Sequence, residues 1–140
     1  MFHSGQVSCI NCFEKKKSNI CFMELQICMS TERVIVQSRI AEQFIDKVKE
    51  IAQRLKAGDH INDPSAHLGA VFAESSAINI VSMVKEAKEQ GAEVVLGDMT
   101  HQGTVVQPHL LKNVTRDMRV WKKETFGPGK SDILNPNGYC

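Results

Sequence analysis

The chain has 140 residues, 42% of them hydrophobic and 24% charged, with a formal net charge of +1. That length allows one domain with a single modest core, and a balance so near neutrality gives no reason to expect a nucleic acid or an anionic membrane as partner. No apolar run approaches the roughly 20 residues of a membrane span, and the opening from Met1 to Gly5 lacks the basic-then-apolar pattern of a secretory signal. Five cysteines, an odd number, argue against a disulfide framework and for a reducing compartment, so the cytoplasm is expected.

In chain order, Val7 to Gln26 comes first, with Lys15-Lys16-Lys17, three of the five cysteines and no clear period. Val34-Ile35-Val36 is a β-branched run that predicts a buried strand. After Ser38 the spacing becomes helical: Ile40, Phe44, Val48, Ile51 and Leu55 recur on one side, with Lys47, Lys49, Glu50 and Arg54 on the other. Gly58 is placed to stop that helix, because glycine accepts the left-handed conformation without a steric penalty. Asp59 to Gly69, with Asn62-Asp63-Pro64-Ser65, reads as a loop. A second helix fits Ser75 to Gln90, with Ile80, Val84 and Ala87 inward and Gly91 as its stop. Glu93 to Gly97 is a second strand, and Val105-Val106-Gln107-Pro108 a third with its proline near the end. Strands alternating with glycine-stopped helices predict an α/β fold. Gly129 to Cys140, with Asn135-Pro136-Asn137-Gly138, reads as a turn-rich tail outside the core.

One segment carries more than secondary structure. Cys28-Met29-Ser30-Thr31-Glu32-Arg33-Val34-Ile35-Val36 resembles the active-site segment of the aldehyde dehydrogenase family, in which a nucleophilic cysteine runs into a strand. Gly58-Asp59 through Leu68-Gly69, Glu89 through Gly97, and Gln107-Pro108-His109-Leu110-Leu111 follow the same family's spacing. So does Lys123-Glu124-Thr125-Phe126-Gly127-Pro128, and the resemblance spans Ile27 to Pro128. It implies a partial aldehyde dehydrogenase catalytic domain, α/β, its strands and helices alternating around an incomplete sheet.

The front departs from the family. Phe2-His3-Ser4-Gly5-Gln6 is similar to the family's lead-in to the cysteine and would join smoothly to Ile27, yet residues 7–26 intervene. That is far too long for a tight active-site loop. Val7-Ser8 can be encoded by GTGAGT, Gln26 by CAG and Gly129-Lys130-Ser131 by GGTAAGTC, so 7–26 and 129–140 read as translated intron. A lineage-specific insertion with a divergent tail is the alternative. The expected organisation is an irregular lead-in over 1–26, a catalytic-domain fragment over 27–128 and a non-family tail over 129–140.

A thiolate suits aldehyde oxidation because it is strongly nucleophilic and also leaves well. The resemblance implies Cys28 as the nucleophile that forms a thiohemiacetal and then a thioester. It implies Glu124 as the residue that holds the nicotinamide ribose and Phe126 as the aromatic beside the nicotinamide ring. NAD or NADP is the implied cofactor, a small aldehyde the substrate and a homo-oligomer the family's usual assembly. Lys123 stands where many members carry an acid. No segment resembles the family's nucleotide-binding domain or its general-base glutamate, so no turnover is expected of this chain alone. A non-catalytic truncated domain that binds another subunit is the competing class. Cys9, Cys12, Cys21 and Cys28 include a redox- or zinc-like spacing, but the second pair is not tight, and no metal site is expected.

Overall fold

The computed structural model describes residues 32–59 and 61–135, the last seven of these by backbone alone. Strand β1 spans Arg33–Gln37, a 3₁₀ turn Ser38–Ile40, and helix α1 Ala41–Ala52; helix α2 follows over Glu74–Glu89. Then come β2 (Glu93–Leu96), β3 (His101–Gln102), β4 (Val105–Val106), β5 (His109–Lys112), the single-turn α3 (Arg119–Lys122) and β6 (Gly129–Asn135).

The main sheet has four strands in the order β1-β6-β5-β2, and β3 and β4 form a separate small hairpin. β6 runs parallel to both neighbours: Arg33 lies opposite Ser131, and Leu111 opposite the same residue from the other side. β2 pairs antiparallel with β5 through an irregularity between Val94 and Leu96. Successive strand residues face opposite sides of a sheet, and β5 shows the consequence. Leu110 joins Val34, Val36, Phe44, Ile45 and Val48 under α1, whereas Leu111 joins Met83, Val84 and Ala87 under α2. The helices therefore cover opposite faces of a small, incomplete sheet. A third cluster, Val71, Ala77, Ile80, Val81 and Val106, ties α2 to the hairpin.

Both helices form where the apolar spacing predicts them. In α1 the buried stripe is Ala41, Phe44, Ile45, Val48 and Ala52, and α2 buries Ile80, Val84 and Ala87 as expected. Gly91, at φ +104, stops α2, its amide donating to the Lys88 carbonyl at 3.1 Å. Two expectations are corrected. Helix α1 ends at Ala52 rather than running on to Leu55, and Gly58 does not cap it: the Gly58 amide donates to the Leu68 carbonyl at 2.9 Å, beside an isolated bridge between Ala57 and Leu68. The second concerns residues 129–140, read as a tail outside the core. Residues 129–135 instead fill the gap between β1 and β5. The physical reason lies in the partners, because two parallel strands offer backbone donors and acceptors that a segment of almost any composition can satisfy. Residues 136–140, like residues 1–31, lie outside the described part.

His109 is the buried polar residue at the start of β5, 3% exposed. The Met99 amide donates to its Nε2 at 3.0 Å, which leaves Nδ1 to carry the proton of the neutral ring. Burial pushes the His109 pKa below 6.5, against the smaller upward pull of the Gln107 carbonyl and the Asp98 charge. The unfolded chain therefore takes up this proton first as pH falls. Stability is whole above about pH 6.5 and declines below it, until the folded form is protonated too. Glu32, whose pKa is raised from 4.5 by burial, works with the opposite sign, since its contribution is present below 4.5 and lost as pH rises. Urea melts at pH 7.5 and 5.5 on the native chain and on His109→Gln separate the two. The native chain should lose more stability between those pH values than the variant; equal losses would remove His109 as the cause.

Candidate active site

The segment Glu124-Thr125-Phe126-Gly127-Pro128 follows α3 and leads into β6, and three separate contacts pin it. Glu32, just ahead of β1, supplies the first. Its carboxylate accepts the Thr125 amide at 3.0 and 3.2 Å, the Thr125 hydroxyl at 3.2 Å and the Phe126 amide at 3.1 Å. The second is a close approach to α2: a Cβ built on Gly127 would lie 2.1 Å from Ile80 Cδ1, so only glycine lets the backbone come this near. The third is a backbone bond in which the His109 amide donates to the Pro128 carbonyl at 2.7 Å.

Held this way, Thr125 is 7% exposed while Phe126 adopts φ +49, an uncommon conformation for an aromatic residue, and keeps 44% of its surface in solvent. Glu124 is exposed. Together with Phe72, Ser76 and Asn79 of the α2 N-terminal region, these three residues line an open cleft of about 420 Å³. Phe72, 86% exposed, stands at its edge. Beneath the site, the Arg33 guanidinium sits 5.8 Å from the Trp121 ring centroid and its Nη2 3.6 Å from Glu32 Oε2. Arg119 bonds Asn79 of the cleft wall and reaches Glu86 at 3.5 Å, joining α3 to α2.

Of the residues singled out in the sequence, Glu124 and Phe126 fall on one cleft. Cys28 lies outside the described residues, as do Cys9, Cys12 and Cys21. Sequence reasoning assigned nothing to Glu32 or Thr125. An acid beside an arginine ahead of a strand looks like an ordinary surface pair, and its partners are distant in the sequence. The signal that was available is the position itself, four residues after Cys28 and inside the motif.

The described residues present an α/β sheet in which a carboxylate just ahead of its first strand is bonded to a Glu-Thr-Phe-Gly-Pro turn. The model of the aldehyde dehydrogenase family matches residues 14–129, and the chain belongs to that family. Among curated relatives, it is 41% identical over 103 residues to a salicylaldehyde dehydrogenase of Pseudomonas putida, covering 74% of this chain and 21% of the relative. It is 37% identical over 107 residues to a vanillin dehydrogenase of Pseudomonas fluorescens, covering 76% and 22%. The crystal structure of a salicylaldehyde dehydrogenase from Pseudomonas putida G7 complexed with salicylaldehyde superposes with a TM-score of 0.81 at 34% identity, over 94% of this chain and 27% of that one. An NADP-dependent glyceraldehyde-3-phosphate dehydrogenase from Bacillus halodurans C-125, complexed with NADP, gives a TM-score of 0.77 at 33% identity, over 86% and 25%. The chain thus spans about a fifth of the length of its curated relatives.

Proposed function

We propose that this chain carries the nucleophile and the nicotinamide-facing turn of an NAD(P)-dependent aldehyde dehydrogenase. Cys28 is the nucleophile, Glu124 the ribose contact and Phe126 the ring contact. The observation that carries this reading is the Glu32 carboxylate, which bonds the strand leading from the cysteine segment to the turn that holds Glu124 and Phe126. An exposed carboxylate and a half-exposed aromatic on one cleft suit a ribose hydroxyl pair and the face of a nicotinamide.

The Cys28 thiolate adds to the aldehyde carbonyl carbon, forming a C–S bond and leaving negative charge on oxygen. The Cys28 amide would share in holding that oxyanion, as the family resemblance implies. Bound NAD(P) would supply the hydride acceptor. Release of the acid then needs a water and a base; no segment of the sequence resembles the family's general-base glutamate, and groups that act as a unit lose most of their effect when separated. The purified 140-residue chain, given NAD or NADP and salicylaldehyde, is therefore expected to produce no NAD(P)H above buffer; measurable production would overturn that. Aromatic aldehydes are the first substrates to try because two relatives are named for salicylaldehyde and vanillin.

Residues 7–26 and 129–140 are proposed to be translated intron, and sequencing the native transcript across both decides it. If Gln6 codes directly into Ile27 and Pro128 runs on into more catalytic domain, the longer product should oxidise aldehydes. Cys28→Ser should then lower its kcat by about three orders of magnitude or more. If the transcript keeps both segments, the second reading takes over, a non-catalytic domain that docks on another subunit. The exposure of Phe72 and Ile78, 86% and 53%, favours that reading in the isolated chain.

A further inference from the structure

Glu32 is bound more elaborately than a surface acid needs to be. Its side chain is 12% exposed, and one oxygen, Oε1, takes all three donors from Thr125 and Phe126. Those donors belong to a turn with a left-handed aromatic at its tip, a conformation that persists only where the surroundings impose it. Gly127 and Pro128, the next two residues, are fixed from α2 and β5, so Glu32 is the contact that decides where Glu124 and Phe126 themselves stand. It does so from the chain four residues after Cys28.

We infer that Glu32 is a positioning residue, its carboxylate locking the Glu124–Phe126 turn to the chain that enters β1 and so fixing where the cofactor contacts stand. The inference rests on the function proposed above. Burial raises the Glu32 pKa despite the Phe126 and Thr125 donors and the Arg33 charge, so the ionised group is held against its own solvation.

The test uses two variants of the 140-residue chain. Glu32→Leu removes every acceptor. Glu32→Gln keeps a carbonyl at Oε1 but turns an NH2 toward the Thr125 amide. In the native chain, the Thr125 and Phe126 amides should exchange slowly with solvent. Glu32→Leu should speed exchange at these two amides by about ten-fold or more, with Glu32→Gln between, while the Val84 and Leu111 amides keep their native rates. Unchanged exchange at Thr125 and Phe126 would overturn the inference. So would a uniform rise that includes Val84 and Leu111, the mark of a merely structural residue. In the longer transcript product, Glu32→Gln should raise KM for NAD(P) by about ten-fold with kcat less affected. An unchanged KM in an active enzyme overturns the positioning role and leaves the dehydrogenase reading intact. An inactive native enzyme overturns the dehydrogenase reading, and the exchange data then decide the clamp alone.

Discussion

Gly97→Ala should be the most damaging alanine substitution at any glycine crowded by its neighbours among the described residues, lowering stability by about 3–5 kcal/mol. Two independent costs meet at this position. Gly97 ends β2 at φ +113, where an L side chain is strained whatever space it has. The new Cβ would also fall 2.3 Å from His109 Cδ2 and 2.7 Å from Cγ. The ring cannot swing aside without giving up the Met99 amide at Nε2, and its side chain has no exposed surface through which to move. For a domain of this size such a loss corresponds to a fall in melting temperature on the order of 20 °C. Gly103→Ala is the control: its φ is +56 and nothing lies within 4 Å of the added Cβ, so only the backbone term remains, about 1 kcal/mol. Melting both variants by circular dichroism checks the argument. Equal shifts would mean that the His109 ring yields, and that the overlap costs little.

Ile80→Ala should cost about 2–5 kcal/mol, the range for emptying a well-packed aliphatic site. Ile80 has no exposed surface and packs with Val71, Ala77, Val81 and Val106, so the space it leaves has no easy route to collapse. Alanine keeps the helix propensity of α2, which confines the loss to packing. The same side chain is the floor on which Gly127 rests, and this makes the prediction sharper. Gly127→Ala alone pushes a Cβ to within 2.1 Å of Ile80 Cδ1 and should cost about 1–3 kcal/mol. In the double variant, the added methyl occupies part of the vacated space, so the two losses should sum to less than additivity by about 1 kcal/mol. Denaturant melts of the four proteins close the cycle. Strict additivity would show that α2 and the Phe-Gly-Pro turn are not in mechanical contact there.

What the sequence revealed and what it hid divide along the range of the interactions. Helices α1 and α2 are written in side-chain periodicity, a local signal, and Gly91 marks its own left-handed turn. β1 and β2 show as β-branched runs. Gly58 misled because a glycine after an apolar stripe looks like a stop, although its role is to meet Leu68. β5 and β6 escaped because their pairing comes from backbone groups on distant strands, and Gly129–Asn135 has no apolar alternation to announce it. The site divides in the same way. Glu124 and Phe126 are legible as a motif, whereas Glu32 and Thr125 gain their meaning only from each other. His109 carries no local sign of its burial, which depends on how the chain turns at Gly97.

The order β1-β6-β5-β2 has a consequence for how the chain is made. Among the described residues, β1 is joined to the sheet only through β6, so the first strand waits for the last. On a ribosome, α1 and β1 emerge long before their edge can be closed, and their apolar face must stay covered by transient contacts meanwhile. Closing that edge spans nearly the whole described chain, the kind of long-range pairing that slows folding and lengthens exposure to aggregation. A polypeptide released before residue 129 would keep both long helices and still leave the strand beside the cysteine segment without a neighbour.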